Sequence, residues 1–315
     1  MAKKIYNKPP LNFQDQVQTW IGRGLQVPDT LRAQSYLSHI SYYRLSAYCL
    51  PFQSVKDKFD KNTTFDDVLS LYMFDRELRL LILDAIERIE IGLRTQIIYQ
   101  LAHKYGSHWH DNNGLFKKPY YKKGGKLVEP FKNLQDYLDK EYKSSDPEVF
   151  IKHYFDNYHT PPNPPSWMAI ELLTIGNLSR LYSNLKRESD KKIISNTFGL
   201  YFPVFESWFH AITHLRNLCA HHCRVWNREY RITPAILNSP KFNWVNNSFS
   251  INNRTFYYLN VLKYFLNIIN PNNTFKNKLD NLFNKYPNVN IEYLGIPTDA
   301  NGNLIDWKSQ PLWKK

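Results

Sequence analysis

Residues 64–105 read TFDDVLSLYMFDRELRLLILDAIERIEIGLRTQIIYQLAHKY, and this stretch decides the fold of the chain. Apolar side chains recur every three or four residues, which is the spacing of a helix with one buried face. These positions are 71, 74, 78, 81, 82, 85, 86, 89, 93 and 97. Thr64 precedes two acids, Asp66 and Asp67, as is usual at a helix start. Without a proline, and with Gly92 as its single glycine, the stretch predicts one long helix or two helices in line.

Working outward from this helix, the same spacing predicts further helices on both sides. They cover residues 13–21, 31–50, 133–143, 147–158, 166–185, 189–198, 203–222, 254–267 and 275–284, with a short helix and turns at 224–239. Residues 246–248 could join two short extended pieces. Together these segments predict an all-α protein with at most one pair of short β-strands.

The chain has 315 residues, enough for one large domain with appendages. We expect an N-terminal helical segment over residues 1–60 that packs on the core, and a main helical domain over 61–270. Residues 106–133, rich in Gly, Pro and Lys, form a flexible basic insertion in that domain. A C-terminal helix and turn-rich tail occupy 271–315.

The charge balance is strongly basic, with 41 Lys and Arg against 28 Asp and Glu and a formal net charge of +13. This excess favours a polyanionic partner such as nucleic acid, although a basic protein without one is the plain alternative. Residues 1–10 form a basic tail with no apolar stretch typical of a signal peptide. No run of 18 apolar residues predicts a membrane span, and three cysteines do not suggest a disulfide framework. We therefore expect a cytoplasmic protein with no membrane partner.

The most informative segment for chemistry is His214-Leu215-Arg216-Asn217-Leu218-Cys219-Ala220-His221-His222-Cys223-Arg224-Val225-Trp226-Asn227-Arg228. Arg binds phosphate and His transfers protons near neutral pH. Asn217 and His221 share a helix face, whereas Arg216 and His221 are about 140° apart. Such a set suits RNA cleavage, in which the 2′-hydroxyl is the nucleophile and no metal is required. The alternative is that these cations merely close a helix C-terminus.

Several separated blocks resemble the abortive-infection (Abi-like) proteins of bacterial anti-phage defence. They appear in the family's order and cover about residues 35–265. The blocks are Tyr42-Tyr43-Arg44-Leu45-Ser46-Ala47-Tyr48 followed by Pro51-Phe52, Phe74-Asp75-Arg76-Glu77-Leu78-Arg79, residues 86–94, Pro165-Ser166-Trp167-Met168 with Glu171, residues 176–182 and residues 216–228. Together they are far more specific than any one block alone.

That family is similar to the HEPN superfamily of α-helical domains, so the resemblance implies a HEPN-like helical bundle. It also implies metal-independent RNA cleavage that leaves a 2′,3′-cyclic phosphate, without a cofactor. The catalytic residues would be Arg216, Asn217, His221 and His222, in a composite site at a homodimer interface. RNA would be the substrate, and a small non-coding RNA a second partner and regulator. The alternatives are a non-catalytic RNA-binding scaffold and a protein-interaction toxin with the same fold.

Charged residues outside this segment are candidates for support and RNA binding. Asp75, Arg76 and Glu90 lie in the family-like blocks and could hold Arg216 or His221 in place, or form ordinary surface pairs. The candidate RNA-binding residues are Arg44, Lys117, Lys118, Lys122, Lys123, Lys126, Arg224 and Arg228. For the lysines a solvated loop is the alternative, and for Arg44 a place beside core aromatic residues.

Metal binding has weaker support in the sequence. Cys219 and Cys223, with His221 and His222 between them, would make half of a zinc site, but no second Cys pair exists, so we expect no metal. His103, His108 and His110 follow the long helix, and we expect them to be solvated.

Overall fold

A computed structural model describes residue 7 and residues 9–314, so most of the predicted basic tail lies outside the described residues. The described chain contains twelve α-helices and one sheet of two short strands. The predicted all-α class is confirmed. Among the described residues, no helix combines the length and the apolar character that crossing a bilayer requires.

The long helix is continuous. It is α4, Phe65–Tyr105, 41 residues in length. The apolar positions that predicted it, from Leu71 to Ile97, are all buried. Its start is fixed reciprocally, because the Thr64 N–H donates to the Asp67 carboxylate at 2.8 Å and the Asp67 N–H donates to the Thr64 hydroxyl at 3.2 Å. Gly92 leaves room for the side chain of Ile269, whose terminal methyl would lie 2.8 Å from a Cβ there.

The chain divides into two compact units, the first of which comprises residues 1–78 and 281–290. Its first three helices are α1 (Phe13–Gly22), α2 (Thr30–Ile40) and α3 (Tyr42–Cys49). The prediction of one helix over 31–50 was wrong. Ser41 breaks it with φ +72°, and its hydroxyl accepts the Arg44 N–H to start α3. The break places the Tyr42 ring against Trp20, with centroids 4.7 Å apart.

The second unit comprises residues 79–280 and 291–315. After α4, the chain forms β1 (Tyr120–Tyr121), β2 (Leu127–Val128), α5 (Pro130–Tyr142), α6 (Val149–Asn157), α7 (Ser166–Ala169), α8 (Ile175–Ser183), α9 (Glu188–Thr197), α10 (Phe202–Ala220), α11 (Thr255–Ile269) and α12 (Phe275–Lys285). Every residue of α11 from Thr255 to Leu266 is buried, so α11 is a core helix. Helix α10 packs against α8, α9 and α11.

Three sequence predictions in the second unit were wrong in detail. The helix predicted at 166–185 is interrupted, because Leu173 is extended and Thr174 caps α8 through the Asn177 N–H. Residues 224–239 contain no helix. Residues 247–249 form a short 3₁₀ turn, and the two strands pair antiparallel inside the basic insertion instead. The predicted domain limits stay a prediction.

Candidate functional site

The candidate site is the C-terminal end of α10. His221 ends the helix, and its N–H donates to the Asn217 carbonyl at 2.9 Å. The His222 N–H donates to the Cys219 carbonyl at 3.0 Å, and the Cys223 N–H donates to the Leu218 carbonyl at 2.9 Å. These last two bonds form a Schellman motif, which satisfies carbonyls that a helix end would otherwise leave unpaired.

His222 has an unusual backbone conformation. Its φ is +57°, the left-handed region that the residue after a helix cap adopts in this motif. Glycine is the usual residue there, because a Cβ makes this conformation unfavourable by about 1–2 kcal/mol. A histidine in the glycine position is a backbone strain of the kind that clusters at functional sites.

The four predicted catalytic residues are all exposed in the single chain. Arg216 and Asn217 lie in the last turn of α10, and His221 and His222 lie at its cap. At the helical spacing Asn217 and His221 share one side of the helix, and Arg216 lies about 100° around the helix from Asn217 and about 140° from His221. The buried neighbours Leu215 and Cys219 anchor this turn in the core. The sequence thus brings the four residues to one exposed helix end, with Arg216 on its far side.

The segment that follows α10 is fixed by the start of α11 and not by a helix of its own. Val225 and Trp226 are buried, and the Val225 carbonyl accepts the Thr255 hydroxyl at 2.7 Å. Arg254 donates to the Asn227 amide oxygen at 2.9 Å. The Val225 carbonyl thus bonds to the start of α11, and the Tyr230 N–H donates to the Asn253 carbonyl just before it at 2.9 Å, so neither backbone group takes part in a helix at 224–239.

A polar stripe continues from the helix end along α10. His210, His214, Asn217 and His221 follow one another at spacings of three and four residues, and so share one face. His214 is half-buried, and its pKa is lowered by burial, then by the charge of Arg228 and by His210. The neutral imidazole is therefore favoured and can accept a proton or a hydrogen bond.

The three predicted supporting residues have other contacts. Asp75 is buried in the first unit, where it accepts the Tyr48 hydroxyl at 2.6 Å, and Arg76 is exposed there. Glu90 accepts from Arg94 at 2.8 Å, and Arg94 also donates to the Leu173 carbonyl at 2.7 Å. Glu90 thus orients an arginine that holds the extended residue before α8. Their predicted role at the helix end stays a prediction.

The candidate RNA-binding residues lie at three places. Lys117, Lys118, Lys122, Lys123 and Lys126 are exposed on or beside the β1–β2 hairpin. Arg44 is half-buried on α3 in the first unit. Arg224 and Arg228 are half-buried beside the helix end, where Arg228 donates to the Arg224 carbonyl at 3.1 Å and lies 5.8 Å above the Tyr230 ring. Only the last two are next to the predicted catalytic residues in sequence.

Neither the cysteines nor His103, His108 and His110, at and after the end of α4, form a metal cluster among the described residues. Within residue 7 and residues 9–314, no group of three or more His, Cys, Asp and Glu side chains could hold an ion. The expectation that His110 is solvated was wrong: it is fully buried, and both ring nitrogens lack a hydrogen-bond partner in the described structure. Burial lowers the pKa of His110 to about 4, with Asp111 opposing and His108 adding to the shift.

Sequence reasoning overlooked His210, and it gave no role to His214 or Arg180, although both lie in segments that it singled out. The spacing of His210 and His214 to Asn217 and His221 was the available signal, since four polar residues recur on one face of an otherwise apolar helix. Arg180 had no such signal. It becomes notable only because folding brings α8 beside the hairpin, where Arg180 and Lys122 line the same cavities.

Comparison with known proteins gives one match. The family model described as "Abi-like protein" matches residues 35–227, which include the second half of α2, all of α3 to α10 and the candidate site. No curated protein matches the chain, and no solved structure matches it.

Proposed function

Since the chain belongs to the Abi-like protein family, we propose that this abortive-infection protein is a HEPN-like endoribonuclease that cleaves RNA through its 2′-hydroxyl. The observation that carries the proposal is the end of α10, where Arg216, Asn217, His221 and His222 are exposed together and His222 takes a position that favours glycine. A helix that merely needed to end would do so more favourably with glycine.

The reaction is complete with RNA and these side chains. One histidine accepts the 2′-hydroxyl proton while the 2′-oxygen forms a bond to the adjacent phosphorus. Arg216 neutralises the charge that grows on the phosphorane oxygens. The P–O5′ bond then breaks, and the second histidine donates a proton to the leaving 5′-oxygen. The products are a 2′,3′-cyclic phosphate and a 5′-hydroxyl, and each proton transfer contributes roughly 10²–10⁴ to the rate.

The separation of Arg216 from His221 leads to the proposed homodimer. Side chains about 140° apart on one helix end do not converge readily on one phosphate. Two copies that meet at this end would place Arg216 of one copy beside His221 of the other. The exposure of all four residues in the single chain leaves this end available for such an interface. A bound small non-coding RNA is the proposed regulator of the assembled enzyme.

The test is RNA cleavage by the purified chain in the presence of a chelator. We expect cleavage by the wild type, loss of cleavage in Arg216→Ala/His221→Ala, and retained RNA binding in that variant. Arg187→Ala/His159→Ala is the matched control, because it removes an exposed Arg and an exposed His elsewhere in the second unit and should cut normally.

Mixing the single variants tests the shared site. Arg216→Ala and His221→Ala should each be inactive, and a mixture that exchanges subunits should regain activity, because one of the two sites in a mixed dimer is then intact. Wild-type binding without cleavage under every condition would instead favour the non-catalytic RNA-binding scaffold. Cleavage that disappears with the chelator would contradict the metal-independent mechanism.

A further inference from the structure

A groove runs between the β1–β2 hairpin, α5, α8 and the first half of α10, all within the second unit. It consists of two cavities, one of about 410 Å³ beside the hairpin and one of about 460 Å³ against α10. Lys122 and Arg180 line both cavities, so the two adjoin each other. We call this feature the hairpin groove.

The rim of the hairpin groove is positively charged. Lys122, Lys126 and Arg180 are exposed side chains that line it. None of the described residues that line the cavity beside the hairpin is acidic. Glu206 lines the second cavity, but it forms an ion pair with Lys191 at 2.6 Å. The cations of the rim are therefore available to an anionic ligand, and a series of phosphates suits their spread along the groove.

The floor of the groove is apolar and has polar edges. Phe116, Leu134 and Leu181 are buried beneath it. Asn133 and Asn177 present amides at its sides, and Asn177 accepts a hydrogen bond from Arg180. A cavity of this size and mixture is typical of small organic ligands. An apolar floor with amide edges accepts the face and edge of a nucleobase, which must be unpaired to enter.

The groove leads to the candidate site along α10. Pro203, Ser207 and His210 line its second cavity, and His210 begins the polar stripe that ends at His221. His210 and His221 are eleven positions apart, which spans about 16 Å at ~1.5 Å per residue. One strand of a nucleic acid lying in the groove can therefore follow the stripe to the helix end over a few nucleotides.

We propose that the hairpin groove binds unpaired nucleotides of an RNA strand, with phosphates on Lys122, Lys126 and Arg180 and a base over the apolar floor, and delivers that strand along α10 to His221. This inference rests on the proposed function for the identity of the polymer as RNA. It assigns a role to Arg180, Asn177 and Asn133, and it separates the residues that hold RNA from those that cut it.

The test measures binding of a labelled, unstructured RNA as salt is varied. Arg216→Ala/His221→Ala serves as the background, so that cleavage does not interfere. In that background we compare Lys122→Ala/Lys126→Ala and Arg180→Ala with Lys140→Ala/Lys152→Ala, which removes two exposed lysines of α5 and α6 that do not line the groove. Folding is checked by thermal unfolding, and the removed groove side chains are exposed, so the variants should fold.

We expect each groove variant to weaken binding about tenfold or more, because hydrogen bonds between charged groups and phosphate are the stronger class of hydrogen bond. The slope of log K against log salt should flatten by about 1.4 in Lys122→Ala/Lys126→Ala, at ~0.7 for each phosphate that the variant no longer neutralises. The control should bind as the background does. A blunt duplex should bind more weakly than the single strand.

Unchanged affinity and slope in the groove variants would overturn the inference, and so would a duplex that binds as tightly as the single strand. The two proposals fail separately. RNA binding that depends on the groove, with no cleavage by the wild type, would contradict the proposed function. It would still support the hairpin groove as an RNA-binding site. Cleavage by the wild type, with RNA binding that is unchanged in the groove variants, would contradict the role of the hairpin groove and leave the proposed function standing.

Discussion

Helices α9 and α10 end with the same hydrogen bonds made by different residues. At the end of α9, the Gly199 N–H donates to the Asn196 carbonyl at 3.0 Å and the Leu200 N–H donates to the Ser195 carbonyl at 3.1 Å. His222 and Cys223 make the same two bonds at the end of α10. The left-handed residue is Gly199 at φ +62° in α9 and His222 at φ +57° in α10.

The difference between Gly199 and His222 shows what each helix end requires. A Cβ at Gly199 would lie 2.5 Å from the Phe242 ring, so packing and backbone both require glycine there. The left-handed residue of α10 is exposed, so a side chain has room, but the backbone strain remains. Because the His222 side chain is kept despite this backbone strain, we expect it to have a function, and the function that we propose is proton transfer.

The largest expected effect comes from making the two ends alike with His222→Gly. Cleavage should fall by roughly 10²–10⁴ because a proton-transfer group is removed. The free energy of unfolding should stay the same or rise by up to about 1 kcal/mol, because relief of strain offsets the greater freedom of glycine in the unfolded chain. Cleavage assays and denaturant unfolding measure the two effects.

His222→Asn is the companion variant, since asparagine tolerates the left-handed conformation but does not transfer protons at neutral pH. It should also lose cleavage. Full activity in both variants would assign His222 a purely structural role. A large loss of stability in His222→Gly would show that its side chain supports the fold.

A smaller effect is expected at the other end, from Gly199→Ala. Left-handed strain of about 1–2 kcal/mol and the close approach to Phe242, about 1–3 kcal/mol, together should lower the free energy of unfolding by about 2–5 kcal/mol. Gly106→Ala is the matched control, because Gly106 has φ +88° and no atom within 4 Å of the added Cβ. If both variants lose the same stability, the ring of Phe242 moves aside freely and packing is not what requires glycine at α9.

The third prediction concerns the buried histidine His110, which should make the free energy of unfolding depend on pH. The pKa of His110 is lowered to about 4 from an ordinary value of 6.5, so the unfolded chain binds a proton in that interval while the folded chain does not. Stability should therefore fall as the pH drops below 6.5, by about 2 kcal/mol between pH 6.5 and 5 from this group alone.

His110→Gln should flatten this pH dependence of the unfolding free energy, and His159→Gln, at an exposed histidine, should not. His110 faces Asp111 at 3.6 Å and lies near His108, so both remain in the variant as background charges. A slope unchanged in His110→Gln would mean that another group governs the acid sensitivity of the fold.

The sequence predicts those parts of the fold whose signal is local. The spacing of apolar residues in α4 requires a helix with one buried face, and the capping pair at Thr64 and Asp67 marks its start. The interruptions at Ser41 and Leu173 were missed because neither residue is glycine or proline, and the tertiary contacts that impose them lie elsewhere in the chain. Residues 224–239 look helical in isolation, but the Val225 carbonyl and the Tyr230 N–H bond instead to residues at or just before the start of α11.

The candidate site likewise has features that the sequence predicts and features that it does not. The exposure of Arg216, Asn217 and His221 follows from their place at the end of an apolar helix, which the spacing of α10 predicts. The backbone of His222 could not be predicted, because a left-handed residue is recognised in sequence mainly by glycine or asparagine. The hairpin groove depends on α8 lying beside the hairpin, a contact between residues far apart in the chain.

The contacts between the start of α11 and the segment after α10 also set the order in which the candidate site can be completed during synthesis. Residues 214–222 leave the ribosome before residues 253–258, which hold Val225 and Asn227 in place. At about 5–20 residues per second, roughly 40 residues correspond to a delay of a few seconds. During that interval a nascent chain carries the histidines but lacks the helix that fixes the segment behind them. The histidine end of α10 is therefore held in its final position only after residues 253–258 have also left the ribosome.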